Sequence, residues 1–393
     1  MSETDDNILD VLMARGFVKQ TTDADTLRAA FSAGPVTFYI GFDPTADCLH
    51  VGHLLPIMAM SWLQRAGHKP IVVMGGGTAR VGDPSGKTKT RELLDDAQIA
   101  ANLAAQRVLF AKYIDLDNAI VVDNAEWLMG LGYIDFLRDI GRHFSVNRML
   151  SSSGAQLRLE RGQGYSFIEF NYHLLQSYDY LELNRRYGCT LQCGGDDQWF
   201  NILGGVDLVR REQAAEVHAL TIPLLLTADG KKMGKTEAGA IWIDGTRLSP
   251  FDFYQYWYNV HDDDALKLLK LYTYLPLDEI DSVAGEGILP LKRRLAFEVT
   301  ALCHGTEEAR KAEQAARGDA DQMPTHPVTF PVNIIDALVA TELCRSKGEA
   351  RRKIKENGVK LDGERVTDPH TAISASAVLQ LGKKRFIRLV ASA

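Results

Sequence analysis

At 393 residues, with 46% hydrophobic and 24% charged, the chain has room for two or three domains and the balance of an ordinary globular protein. No run approaches the roughly 18 apolar residues of a membrane helix, and the acidic start from Met1 to Asn7 is unlike a targeting leader, so a cytoplasmic protein that meets no membrane is expected. Net charge is -7 but uneven: residues 343–393 carry twelve Lys or Arg against five Asp or Glu, leaving -14 on residues 1–342, which points to a polyanion as the tail's partner.

Along the first 225 residues short apolar runs alternate with longer helical patterns. Residues 36–40, 71–74, 119–122 and 190–192 read as buried parallel strands, with helices near 53–66, 92–112, 131–143 and 197–212. That alternation implies a doubly wound, Rossmann-like α/β sheet whose ligands bind beyond the carboxyl ends of its strands. A stretch from about 145 to 165 reads as irregular and precedes a helical aromatic segment, Phe170 to Gln176. Residues 250–318 look all-helical, and Pro324, Pro327 and Pro331 then mark a linker. Beyond it, a helix starts at Ile334 and a second is capped by Ser346 and stopped by Gly358, while Asp362-Gly363 makes a hairpin turn. The expected division is a Rossmann-like domain over 1–226, a flexible loop and helical domain over 227–320, a linker over 321–331, and a small α+β module over 332–393.

Several stretches carry chemistry. Asp47 to His53 places Cys48, His50 and His53 within seven residues, which invites a metal reading but offers no fourth ligand. At the start of a predicted helix two imidazoles suit an anion better, and Gly52 between them leaves room for a nucleotide. Asp43-Pro44-Thr45 adds a carboxylate and a hydroxyl to the same loop. Gly82 to Thr88 resembles a phosphate-binding P-loop but has Val81 where that motif needs glycine. Ala228 to Thr236 is a turn with three lysines, able to swing cations onto a polyphosphate. Cys189 and Cys193 bracket a strand, which at ~3.3 Å per residue puts them too far apart for one metal or one disulfide. The odd total of five cysteines fits buried thiols.

Together these residues carry a resemblance. Asp43-Pro44-Thr45 leading to His50-Val51-Gly52-His53 resembles the HIGH region of class I aminoacyl-tRNA synthetases, and Lys232-Met233-Gly234-Lys235-Thr236 resembles their KMSKS loop. The Gly82 to Gly86 loop, Tyr172-x-x-x-Gln176-x-x-Asp179 and Gly194 to Trp199 are similar to bacterial-type tyrosyl-tRNA synthetases, and the basic tail to that family's RNA-binding module. The resemblance implies a two-step reaction. Tyrosine attacks the α-phosphate of ATP, releasing pyrophosphate, and then passes from the adenylate to the 3′ end of its tRNA. It implies ATP as substrate with Mg2+, no structural metal, and a homodimer built through residues 127–137.

It also implies residue roles. Tyr39 and Asp179 would meet the substrate phenol. Asp83, Tyr172 and Gln176 would hold its ammonium group, with Asn124 nearby. Gly41, Asp43, Gly52, Gly195, Asp197 and Gln198 would line the adenylate and the amino acid. His53 would sit near the ribose and phosphate, Thr45 and His50 would meet the γ-phosphate, and Lys87, Arg91, Lys232 and Lys235 would close on pyrophosphate. Arg351, Arg352 and Lys355 would contact tRNA, with Arg385 and Arg388 as a second patch. Two departures stand out: Ile40 lies where a thiol would contact the ribose, and Asp196 where serine is usual, leaving two adjacent aspartates as ribose candidates. Tryptophanyl-tRNA synthetase shares the implied fold, but Tyr39, Asp179 and the appended module favour tyrosine. A nucleotidyltransferase with its own His-x-Gly-His explains only the first loop, and a non-catalytic RNA-binding scaffold predicts loss of phosphate-binding residues that are present.

Overall fold

The computed structural model describes residues 7–85, 94–162, 166–226, 233, 235–236, 239–318, 323–382 and 385–392. Six strands form one sheet in the order β1-β6-β5-β2-β3-β4: β1 (Gln20–Thr21), β2 (Thr37–Phe42), β3 (Lys69–Met74), β4 (Ile120–Asp123), β5 (Leu191–Gly195) and β6 (His218–Ile222). β2 to β6 are mutually parallel, and β1 closes one edge antiparallel to β6. Strand order reverses between β2 and β5, so the crevice of a doubly wound sheet opens beyond their carboxyl ends. β6 extends the sheet beyond the four expected strands. It is buried along its whole length, and two of its five residues are polar, which hid it in the sequence.

The helix Phe167–Tyr187 is three times the length of the aromatic segment that announced it. Ser166 and Glu169 cap its start reciprocally, and Gly188 ends it at φ 63°, a left-handed conformation that glycine adopts without strain. The preceding stretch is not irregular up to residue 160, since Val146–Leu150 and Ser153–Glu160 are helices. Arg158 holds that stretch to the long helix through a two-pronged bond to Glu169 at 2.9 and 3.0 Å, both side chains 4% exposed. A buried pair of this kind adds little net stability, but losing one partner strands the other charge at about 3–5 kcal/mol. Arg15 plays a comparable part at the amino end. Its guanidinium stacks 4.0 Å over Trp62 and donates to the carbonyls of Lys270, Thr273 and Leu275.

The chain forms two compact units, residues 1–244 with 263–285, and residues 245–262 with 286–393. The helical region expected as one domain is therefore shared between them. In the second unit the helices Pro250–Tyr258, Ile288–His304 and Thr306–Ala316 pack together. A five-stranded sheet follows, with a core that includes Ile334, Leu338, Ile354, Leu379 and Leu389. The proline-rich stretch is more than a linker: Thr325–Val328 pairs in parallel with residues 388–391 as an edge strand. Pro327 is tolerated there because an edge strand leaves one side's donors unused. Met323 packs with Phe251 and Ala315, against the partly buried Val378 and Phe386. Asp362 and Gly363 both have positive φ, 48° and 85°, as a two-residue hairpin turn requires. Among the described residues no helix is long and apolar enough to cross a membrane.

Candidate active site

The crevice beyond β2 and β5 holds a cleft of about 360 Å³. Its lining brings together Tyr39, Gly41, Asp43, Thr45, His50, Gly52, His53, Asp83, Asn124, Tyr172, Gln176, Asp179, Gly195, Asp197 and Gln198. The spacing of Tyr172, Gln176 and Asp179 explains part of this. Offsets of four and three residues put all three on one face of the helix Phe167–Tyr187.

At the floor, the Asp179 carboxylate accepts from Trp127 Nε1 at 2.7 Å and Asn124 Nδ2 at 3.0 Å. Burial pushes this carboxyl up to about 7, and those two bonds oppose the shift without cancelling it. Burial likewise raises the Tyr39 phenol well above its usual range, so it stays protonated and a donor. Three buried polar atoms on the lining have no partner among the described residues: the Tyr39 hydroxyl, Gln176 Oε1 and Gln192 Oε1. An orphaned buried group is costly, so their presence in one cleft marks where a polar ligand belongs.

Asn124 does not face a ligand with a spare group. Its Oδ1 accepts from the Gly77 and Thr78 amides, and its Nδ2 donates to Asp179 and to Thr78 Oγ1. It therefore positions Asp179, and Thr78 passes the connection on to Asp43 Oδ1 at 2.8 Å. The Tyr172 hydroxyl donates to Asp43 Oδ2 at 3.2 Å. The two adjacent aspartates separate: Asp196 accepts from Gln20 and Thr221, while Asp197 is on the cleft wall.

His50 and His53 form a reciprocal cap on the helix Val51–Arg65. His50 Nδ1 accepts from the Gly52 amide at 3.0 Å, and His53 Nδ1 accepts from the His50 amide at 3.3 Å. The rings stack at 3.9 Å. Because both Nδ1 atoms accept, each neutral ring carries its proton on Nε2 as a donor. Gly52 has a nearer reason than nucleotide clearance, since a Cβ there would stand 2.8 Å from the His50 ring. Among the described residues no group of three or more side chains could hold a metal, and all five cysteines are buried with no disulfide between them.

Residues distant in sequence complete the site. The Val51 and Ile243 amides bond to the carbonyls of Ile241 and Leu49, and Tyr272 donates to the Val51 carbonyl at 2.9 Å. Met233 is buried on the cleft wall, its amide bonded to the Leu225 carbonyl and its own carbonyl beside Gly52. Lys87, Arg91 and Lys232 lie outside the described residues, as does the side chain of Lys235. Gln192, Trp127 and Tyr272 escaped the sequence reading. Only Gln192 left a signal there, an amide within a buried strand.

In the second unit Arg351, Arg352 and Lys355 all lie exposed on the helix Lys347–Lys355, which Ser346 caps. Arg385 is exposed and donates to the carbonyls of Glu342 and Leu343, so its charge is held in place against the module.

The family model described as tRNA synthetases class I (W and Y) matches residues 32–318, and the tyrosine–tRNA ligase C-terminal domain model matches residues 315–389. A tyrosine–tRNA ligase of Clostridium tetani is 47% identical over 404 aligned residues, covering 98% of this chain and 99% of that one. A C-terminally truncated mitochondrial tyrosyl-tRNA synthetase of Aspergillus nidulans superposes with a TM-score of 0.71 at 31% identity, over 79% of this chain and 93% of that one. A tryptophanyl-tRNA synthetase of Plasmodium falciparum, at 13% identity and TM-score 0.57 over 78% and 84% of the two chains, shares the fold alone.

Proposed function

The chain belongs to the class I tRNA synthetases for tryptophan and tyrosine and is a tyrosine–tRNA ligase, and from that premise we propose how its cleft divides the work. Tyrosine enters with its phenol between Tyr39 and Asp179 and its ammonium group toward Asp83, Tyr172 and Gln176. Gly41, Asp43, Gly195, Asp197 and Gln198 line the adenylate. The observation that carries this reading is the cluster of unpartnered polar atoms at the cleft floor beside a carboxyl raised to about 7.

ATP enters as its magnesium complex, the cation carried mainly by phosphates and water. The tyrosine carboxylate attacks the α-phosphate, so no protein nucleophile is needed. Thr45 and the Nε2–H donors of His50 and His53 meet charge as it moves toward pyrophosphate, and Lys87, Arg91, Lys232 and Lys235 supply the cations. The acidic floor and these cations thus serve opposite ends of one substrate pair.

Pyrophosphate exchange screened across the amino acids tests this directly. Exchange should depend on tyrosine. His50→Ala should lower kcat roughly a hundredfold while leaving the KM for ATP nearly unchanged, as befits a group acting in the transition state. Lys235→Ala should slow activation without weakening tyrosine binding. Exchange driven equally by tryptophan, or unchanged in both variants, would overturn the reading.

We place the enzyme in the cytoplasm, where buried thiols that form no disulfide need no oxidising compartment. It acts as a homodimer. Trp127 and Phe136 are buried and cannot supply the interface, but Met129, Tyr133 and Ile134 are 61%, 59% and 71% exposed, with Leu137 beside them. So much apolar surface on one short helix and its lead-in suits a self-complementary face. Sedimentation should show a dimer at micromolar concentration and a shift toward monomer in Ile134→Asp. A wild-type monomer with full charging activity would refute it.

A further inference from the structure

A smaller cavity of about 90 Å³ lies against another face of the helix that carries Tyr172. His173, the next residue along, lines it together with His143, Arg148 and Asp207. The imidazole is closely built in, 4.5 Å from the Phe200 ring and edge-on to Phe144 at 5.3 Å. Gly204 makes the space, for a Cβ there would stand 2.3 Å from His173 Cε1 and 2.5 Å from Ser177 Oγ. Glycine inside the helix Trp199–Gln213 weakens that helix, so its presence answers to the ring.

From this ring a chain of hydrogen bonds runs to the main cleft. His173 Nδ1 lies 3.2 Å from Asn201 Oδ1, and Asn201 Nδ2 donates to Ser85 Oγ at 3.1 Å and to Gln198 Oε1 at 3.2 Å. Gln198 Nε2 then donates to Asp83 Oδ2 at 2.8 Å, and Asp83 Oδ1 accepts from the Ser85 amide at 2.9 Å. Burial holds the imidazole down to about 4, so at neutral pH it carries one proton, and facing a carbonyl oxygen that proton sits on Nδ1. Each amide has one accepting and one donating end, so the chain has a single favourable sense. Reversed, it would aim Gln198 Oε1 at the Asp83 carboxylate.

We infer that His173 is a positioning residue for tyrosine binding: its Nδ1–H holds Asn201 by its oxygen and so anchors the far end of the Asn201–Gln198–Asp83 chain, whose sense the carboxylate dictates, and with it the orientation of Asp83 toward the substrate ammonium group. The inference rests on the reading above that Asp83 meets that ammonium. It gives a role to an imidazole that touches neither substrate nor solvent-facing charge on the cleft side.

The test compares His173→Leu, which removes the donor, with His173→Asn, which returns an amide near the place of Nδ1. In tyrosine-dependent pyrophosphate exchange with the full chain, His173→Leu should raise the KM for tyrosine roughly three- to tenfold, the size of one buried hydrogen bond. Its kcat and its KM for ATP should stay within about twofold, and His173→Asn should restore the KM for tyrosine. The inference is overturned if His173→Leu leaves that KM unchanged. It is equally overturned if His173→Asn is as damaging as His173→Leu, or if kcat and both KM values move together, because each is the mark of a merely structural ring. Asp83→Asn separates the two layers. If it leaves the KM for tyrosine unchanged, the ammonium reading itself fails. If it raises that KM while His173→Leu is silent, only the relay fails.

Discussion

Asp179→Asn should lower the preference for tyrosine over phenylalanine by roughly 10²–10⁴, measured as the ratio of kcat/KM values in pyrophosphate exchange. Tyr39 and Asp179 sit buried at a closed floor, and the Tyr39 hydroxyl has no partner among the described residues. Phenylalanine in that place leaves the Tyr39 hydroxyl desolvated and unpaired and the Asp179 carboxylate, held only by Trp127 and Asn124, one donor short, at about 1–3 kcal/mol each. In Asp179→Asn one face of the new amide must present a donor to Trp127 Nε1 or Asn124 Nδ2, so the floor no longer favours a phenol. Tyr39→Phe should cost far less, about three- to tenfold in tyrosine kcat/KM, since one neutral hydrogen bond is removed.

The same carboxyl gives the reaction a pH signature. Its folded pKa, about 7, lies above the usual carboxylate value, so the ionised form prevails only above that pH. A phenol donates best to the ionised form. The KM for tyrosine should therefore rise as pH falls through about 7, and Asp179→Asn should abolish that dependence. An unchanged tyrosine preference in Asp179→Asn would remove the phenol from this floor.

Removal of residues 319–393 should leave tyrosine-dependent pyrophosphate exchange within about twofold, while kcat/KM for tRNA charging falls roughly a hundredfold or more. The groups assigned to tyrosine and ATP all precede residue 240, whereas the concentrated positive charge follows residue 343. The structure sets the cut. Ending near Pro327 would split the edge strand Thr325–Val328, while ending after Gly318 removes the five-stranded sheet intact and uncovers Phe251 and Ala315, where Met323 packs. The Aspergillus relative, crystallised without its C-terminus, shows that a shortened chain of this family can fold. Arg351→Glu, Arg352→Glu and Lys355→Glu combined in the full chain should reproduce much of the charging loss without removing any core. With three phosphate-neutralising cations gone, the salt dependence of tRNA binding should also flatten by about two to three in log–log slope. If the shortened enzyme charges tRNA as well as the full chain does, the tail is only a solvated basic surface.

Much of this protein is legible in its sequence because the signals are local. Parallel strands buried on both faces appear as apolar runs, and Asp362-Gly363 announces its turn because both positions need positive φ. The offsets from Tyr172 to Gln176 and Asp179 declare a single helical face, whatever lies opposite it. Charge asymmetry needs no fold at all. The rest depends on contacts between residues far apart, where composition is silent. No pattern near Asn124 says that it serves Asp179 rather than a ligand, because its four bonds end at residues 77, 78 and 179. The histidine pair looks like a ligand set in one dimension. Folding spends both Nδ1 atoms on a helix cap and turns the Nε2 protons into donors. Asp196 and Asp197 are neighbours in sequence, and only the bonds from Gln20 and Thr221 decide which one leaves the cleft. Arg385 is one more cation in the tail, and only the fold shows that its guanidinium is tethered to two carbonyls. In each case the sequence supplies the chemical group, and the tertiary structure decides what that group is already bonded to.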